Sequence, residues 1–239
     1  SRKLDLVVSL EAAGKTFRNH WSFWTFARPA ASGPPEIPVV STLRSAPLRQ
    51  RYPWLSEAAD AIDPRALLIT GSLDARALAH LKAGGRVWLL LDNRPDKGGV
   101  DYFPAAGGAL GTIVSPTPAL TGFPHDGYCD LQFFNLLQGA HPLPIDGWPA
   151  EPDPIAAGLR TKAGFLNKNK DLSRVAYAVE AKVGGGKLLV TTFRLREHLD
   201  DAFPEALGMF DSLLRYCLSG AFHPRLELPE DALPALASE

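Results

Sequence analysis

One short stretch concentrates the side chains that could do chemistry: His125, Asp126, Tyr128, Asp130 and Gln132. They stand where an apolar-periodic run begins, so the spacing predicts a helix over 127–137 with these groups at its start. A helix N-terminus offers unpaired N–H groups and a partial positive charge. Two readings follow. In one, Asp126 or Asp130 simply caps the helix. In the other, Tyr128 stacks on a sugar ring, Asp130 and Gln132 bind hydroxyls, and Trp24 brings a second aromatic face from an N-terminal strand. The same stretch holds Cys129. A nucleophilic cysteine needs a base within hydrogen-bond reach to form its thiolate, and Glu197-His198 is the late partner available. The simpler reading makes Cys129 a small, partly buried residue of the first helical turn.

Other chemistries find weaker footing. Gly184-Gly185-Gly186-Lys187 has a phosphate-loop flavour, but a P-loop runs from strand to helix and ends in Ser or Thr after the lysine. Here Leu188 follows and a strand continues, so a hairpin turn is expected. The six histidines are scattered without H-x-x-x-H spacing, and no C-x-x-C is present, so no metal and no cofactor are expected. His80 reads as a surface residue. The acids Asp126, Asp130 and Glu180 do not form a specific hydrolytic pair, because any chain of this size offers such spacings.

The elements that would position these groups alternate strand and helix. Strands are expected at 37–42, 66–70, 86–92, 111–114, 173–183 and 187–193. A helix over 73–83 is expected to be capped by Ser72 and stopped at Gly84-Gly85. Its Leu73, Ala77, Leu78 and Leu81 share a face. The run Val87-Trp88-Leu89-Leu90-Leu91 does not alternate, as suits a parallel strand buried on both faces. Over 127–137, Tyr128, Leu131, Phe134 and Leu137 or Phe133 are expected to point inward. Phe203, Leu207, Phe210, Leu214 and Cys217 make 202–218 the clearest helix. The 93–110 stretch reads as a long loop, 142–154 as irregular, and 223–239 as a poorly packed tail. Ahead of the body, 4–10 alternates as a strand. After a turn at 12–15, Phe17, Trp21, Phe23 and Trp24 crowd a second strand. Those aromatics must pack on this chain or on a preceding β-domain. The expected fold is α/β: a doubly wound, mostly parallel sheet of flavodoxin type. Its divisions are N-terminal strands and linker at 1–35, the α/β domain at 36–222 and the tail at 223–239.

Composition bounds the functional classes. The 239 residues are 46% hydrophobic and 21% charged, near globular averages, which excludes a disordered chain, a collagen-like chain or a coiled coil. The net charge of −1 offers no basic excess for a nucleic acid. No apolar run reaches the ~20 residues of a membrane helix, and the opening residues show no signal-peptide pattern. Two cysteines are too few for a disulfide framework, and the residues leave the compartment open.

Five segments, in order, resemble one family. Asn19-His20-Trp21-Ser22-Phe23-Trp24 is similar to the N-x-W-x-x-W strand that closes a β-sandwich in large family 2-like glycoside hydrolases. Gly84-Gly85-Arg86-Val87-Trp88-Leu89-Leu90 follows. Thr117 to Pro124 and Tyr128 to Phe134 resemble HPAL-x-x-FPT and Y-x-D-W-Q-W, and Val179 to Val190 resembles FEAKVGKGKLLV. In that family these segments belong to a C-terminal glutamine-amidotransferase-like, flavodoxin-like domain. Thr117, His125, Leu131 and Phe134 depart from its usual His, Thr and two tryptophans. Class I amidotransferases place a cysteine in G-x-C-x-G, whereas Asp130-Leu131 follows Cys129 here. The resemblance implies a non-catalytic accessory domain of a carbohydrate-active enzyme. It also implies a periplasmic or secreted setting. The partners it implies are the catalytic domains of the same polypeptide, carbohydrate, or further copies of the chain. The alternatives are a stand-alone sugar- or small-ligand-binding module and a Cys129-dependent amidotransferase-like hydrolase.

Overall fold

A computed structural model describes residues 1–27, 33–91, 112–161, 172–233 and 236. The expected 93–110 loop lies outside the described residues. A two-stranded antiparallel sheet comes first, β1 (Arg2–Ala12) with β2 (Lys15–Thr25). Ala13 and Gly14 turn it with φ of 50° and 73°, the pair of left-handed residues that matches the twist of a tight hairpin.

The body is a mixed α/β unit around one sheet. Its strands are β3 (Val39–Ser41), β4 (Ser56–Glu57), β5 (Leu67–Thr70), β6 (Arg86–Leu90), β7 (Ile113–Val114), β8 (Leu143–Pro144), β9 (Ala156–Thr161), β10 (Leu172–Val183) and β11 (Gly186–Thr191). Along the sheet the order is β4-β3-β5-β6-β11-β10-β9-β7, with β8 also on β10. From β4 to β11 the pairing is parallel; β10, β9 and β7 continue antiparallel. The expected strands are therefore present, and β4, β8 and β9 are additions that periodicity did not reveal. The helices are α1 (Ala46–Arg51), α2 (Ala75–Lys82), α3 (Phe134–Leu137) and α4 (Pro204–Leu218).

Both faces of the parallel strands are covered, which is why their sequences do not alternate. Leu67, Ile69, Trp88, Leu90 and Leu189 face one cluster under α4. Leu68, Val87, Leu89, Leu188 and Val190 face a second, under α2. Trp88 is fully buried: its ring meets Phe210 at 4.7 Å and its Nε1 donates to Thr191 Oγ1 at 3.0 Å. The hairpin between β10 and β11 turns on Gly184, with φ of 58°. Gly186 is needed for another reason: a Cβ there would strike the backbone of Leu81 at the end of α2.

Several local expectations are corrected. Asp74, not Ser72, caps α2, its carboxylate accepting from Ala77 N–H at 2.9 Å. His80 is not on the surface. It is 4% exposed, and its Nε2 lies 2.9 Å from the Ala66 carbonyl; since a carbonyl only accepts, Nε2 carries the proton. The tail is packed, with Leu226, Leu228, Leu233 and Leu236 in the second cluster. It runs beside β10, with Lys182 N–H donating to Leu226 O at 2.7 Å and Leu228 N–H to Lys182 O at 2.9 Å. A register shift between Ala176 and Ala178 marks a β-bulge in β10. It turns consecutive residues Tyr177 and Ala178 into the same cluster.

Candidate functional site

The predicted helix over 127–137 is mostly absent. After a bend at Gly127, with φ of 86°, residues 128–130 are extended: Ile113 bridges Tyr128, and Cys129 N–H donates to Thr112 O at 3.1 Å. A short 3₁₀ turn over Leu131–Phe133 follows, then α3. The extended start turns three of the residues expected inward to the outside, while Leu137 and Phe133 are buried as expected. Tyr128, Leu131 and Phe134 are exposed, whereas Phe133, Leu136 and Leu137 are buried. Asp130 caps the 3₁₀ turn, accepting from Leu131 N–H at 2.8 Å. Phe133 reaches toward Phe193, just past the carboxyl end of β11, at 6.2 Å between rings.

The hairpin meets this segment at its base. Lys3 pairs with Asp126 at 2.7 Å and stands 5.6 Å from the Trp24 ring. Phe26 packs on Phe123 at 5.3 Å. Trp24 and Asp126 are thus brought to one place. Two buried polar atoms here, Trp24 Nε1 and Gln132 Oε1, have no hydrogen-bond partner among the described residues; Gln132 Nε2 donates to Pro124 O at 3.3 Å. His125 is held by its own loop, its Nδ1 accepting from Gly127 N–H at 3.1 Å, and burial lowers its pKa.

Cys129 is 8% exposed and burial pushes its thiol far above the ordinary range. That environment disfavours a thiolate. Neither late partner serves it: Glu197 is ion-paired with Arg194, and the His198 ring lies 4.0 Å from that of Phe203.

Sequence reasoning passed over a second place. β9 pairs with β10 only as far as Ala178, where Ile155 N–H donates to Ala178 O at 2.8 Å. The tail takes over at Lys182. Between them, opposite Glu180, the edge of β10 is open. A cavity of about 410 Å³ occupies that gap. Glu180 and Tyr216 line its base, Ser115 and Thr117 one side, and His223 and Arg225 from the tail another. Tyr216 OH donates to Glu180 Oε2. The pKa of Glu180 is raised, by burial first and by the Asp153 carboxylate; the Tyr216 hydroxyl opposes the shift, as do Arg225 and His223. Arg225 is itself ion-paired with Asp153 at 3.0 Å. Nothing local in the sequence marks this place, because it is made by four separated stretches, 115–118, 153–155, Glu180 and 216–226, meeting at a sheet edge.

The family profile of DUF8487, a domain of unknown function, matches residues 68–238. The chain belongs to this family. Every residue around the Glu180 cavity falls within the DUF8487 match, whereas Lys3 and Trp24 at the hairpin base lie outside it. No curated protein matches the chain.

Proposed function

We propose that this chain is a non-catalytic accessory domain of a glycoside hydrolase-like polypeptide, of glutamine-amidotransferase-like, flavodoxin-like type. In this reading it packs through its N-terminal hairpin on a β-rich domain of the same polypeptide. The observation that carries the reading is the outer face of that hairpin. Leu4, Leu6, Leu10, Phe17, Trp21 and Phe23, with Val8, are 40–62% exposed and share one cross-strand face. Between Leu4 and Leu10 no charge interrupts that face and Asn19 is its polar member; Arg2, Thr25 and Lys15 stand at its two ends. Together these side chains leave on the order of 600 Å² of apolar surface in water, the upper end for the largest patch on a monomer. A two-stranded sheet needs a third layer or more strands for stability, and this face is where one would fit.

The resemblance of Asn19 to Trp24 to a sandwich-closing strand supports a β-domain as the occupant. The burial of Cys129 supports the accessory reading over a Cys129-dependent hydrolase. The test is the encoded polypeptide. Its reading frame should run upstream into a catalytic hydrolase domain. Amide exchange over residues 2–25 should be slow in that polypeptide and fast in residues 1–239. A frame without such a domain, or equal exchange in the two, overturns the proposal.

A second reading, a sugar-binding module at the hairpin base, is favoured by Trp24 Nε1 and Gln132 Oε1, which have no hydrogen-bond partner among the described residues. There Tyr128 would stack on a ring, with Asp130, Asp126 and His125 around it. A glycan panel screened by thermal shift, repeated with Tyr128→Ala, tests it. A shift abolished by that variant supports the reading, and no shift with any glycan removes it.

A further inference from the structure

The Glu180 cavity carries an inference independent of the hairpin. Strand hydrogen bonding alternates between the two edges of a strand. Ala178 and Lys182 turn their backbone groups toward β9 and the tail. Glu180, midway between them, turns its N–H and C=O the same way, into the gap, where no described residue bonds them. Its Oε2 is taken by Tyr216, and Oε1 makes no hydrogen bond among the described residues. A donor and two acceptors therefore converge from one residue on a space of about 410 Å³. An apolar residue at 180 would avoid the cost of half-burying a carboxylate. Such a group in a cleft is a functional-site signal.

The walls select the ligand. Ser115, Thr117 and His223 offer further hydroxyl and imidazole groups. Pro116, Pro118 and Pro154 give apolar facets on which C–H faces can lie. Asp153 and Arg225 cancel each other. An anion would meet Glu180 and Asp153, and a cation would meet Arg225. We infer that the cavity binds a small neutral polyhydroxylated molecule of about one sugar ring, its adjacent hydroxyls bridging the Glu180 carboxylate, the Glu180 backbone and His223. The volume lies within the range of small-molecule sites.

The test uses residues 1–239 with D-galactose, D-glucose, D-mannose, D-xylose and myo-inositol. Phosphate and methylammonium serve as charged counterparts, and ligand-observed NMR as the readout. At least one polyol should bind and neither ion should. Glu180→Gln, which keeps an acceptor for Tyr216, should raise the polyol Kd by about tenfold or more, the loss of one charge-assisted hydrogen bond. His223→Ala, on an exposed tail residue, should weaken it as well, and decides the matter if Glu180→Gln fails to fold. Tyr128→Ala and Trp24→Ala should change nothing, which separates this cavity from the hairpin base. Binding of no polyol, preference for either ion, or indifference to both cavity variants overturns the inference.

Discussion

Leu228 and Leu10 are the same residue in terminal segments, and they should respond to truncation very differently. Leu228 is 4% exposed in the cluster beneath the second face of the sheet, and its N–H is bonded to Lys182 O. Leu10 is 62% exposed on the hairpin. Removing a buried leucine side chain costs about 2–5 kcal/mol, the smaller values applying where neighbours can close in. A tail has freedom to close in, so Leu228→Ala should cost about 2–3 kcal/mol. At roughly 2–4 °C per kcal/mol for a chain of this length, Tm should fall by about 4–12 °C. Leu10→Ala should stay within about 0.5 kcal/mol, as surface changes do. Differential scanning calorimetry on residues 1–239 reads both. A Leu228→Ala variant that melts within about 1 °C of the parent, the floor set by a surface-sized effect, refutes the packed tail. A comparable fall for Leu10→Ala refutes the exposed hairpin face.

Cys129 and Cys217 are both buried and free, with thiols pushed up by burial, so neither should react with a thiol reagent at neutral pH until denaturant is added; rapid native labelling of Cys129 would count against its structural role. Replacing His80 with Leu leaves the Ala66 carbonyl without its donor, and should cost about 1–3 kcal/mol in urea unfolding; an unchanged midpoint would mean the ring is not the partner. Burial raises the Glu180 pKa above its ordinary value when folded, so the folded chain holds the extra proton between the two values. Stability should therefore fall as pH rises from the ordinary carboxylate value through the raised one. Glu180→Gln should flatten that part of the curve, and an unaltered slope would assign it to another group. Gly186→Ala, which drives a methyl group into the Leu81 backbone, should lower Tm by more than Gly14→Ala, where space is open and the φ of 73° alone costs about 1–2 kcal/mol; a Gly186→Ala loss no larger than that of Gly14→Ala would remove the close approach.

By itself the sequence determined the alternation of strand and helix in the body. The doubly apolar run at Val87 to Leu91 can be buried only between two layers, and the three-and-four spacing of Phe203 to Cys217 fits only a helix. It also determined the hairpins, because glycine at Gly14 and Gly184 permits left-handed turns that fix where strands reverse. The direction of residues 128–130 was decided by tertiary structure. Local periodicity favoured a helix there, but pairing with Thr112 and Ile113 supplied the backbone with strand partners and turned Tyr128 outward. His80 went inward because the Ala66 carbonyl stood where its ring could reach. The tail's leucines found a face that no local pattern announces, since the covering segment is irregular and joined to β10 by one isolated bridge at Lys182. Glu180 is the extreme case. In sequence it is one polar residue in a strand. It becomes the floor of a cavity because β9 ends and the tail begins on either side of it, and both ends are set by segments distant in the chain.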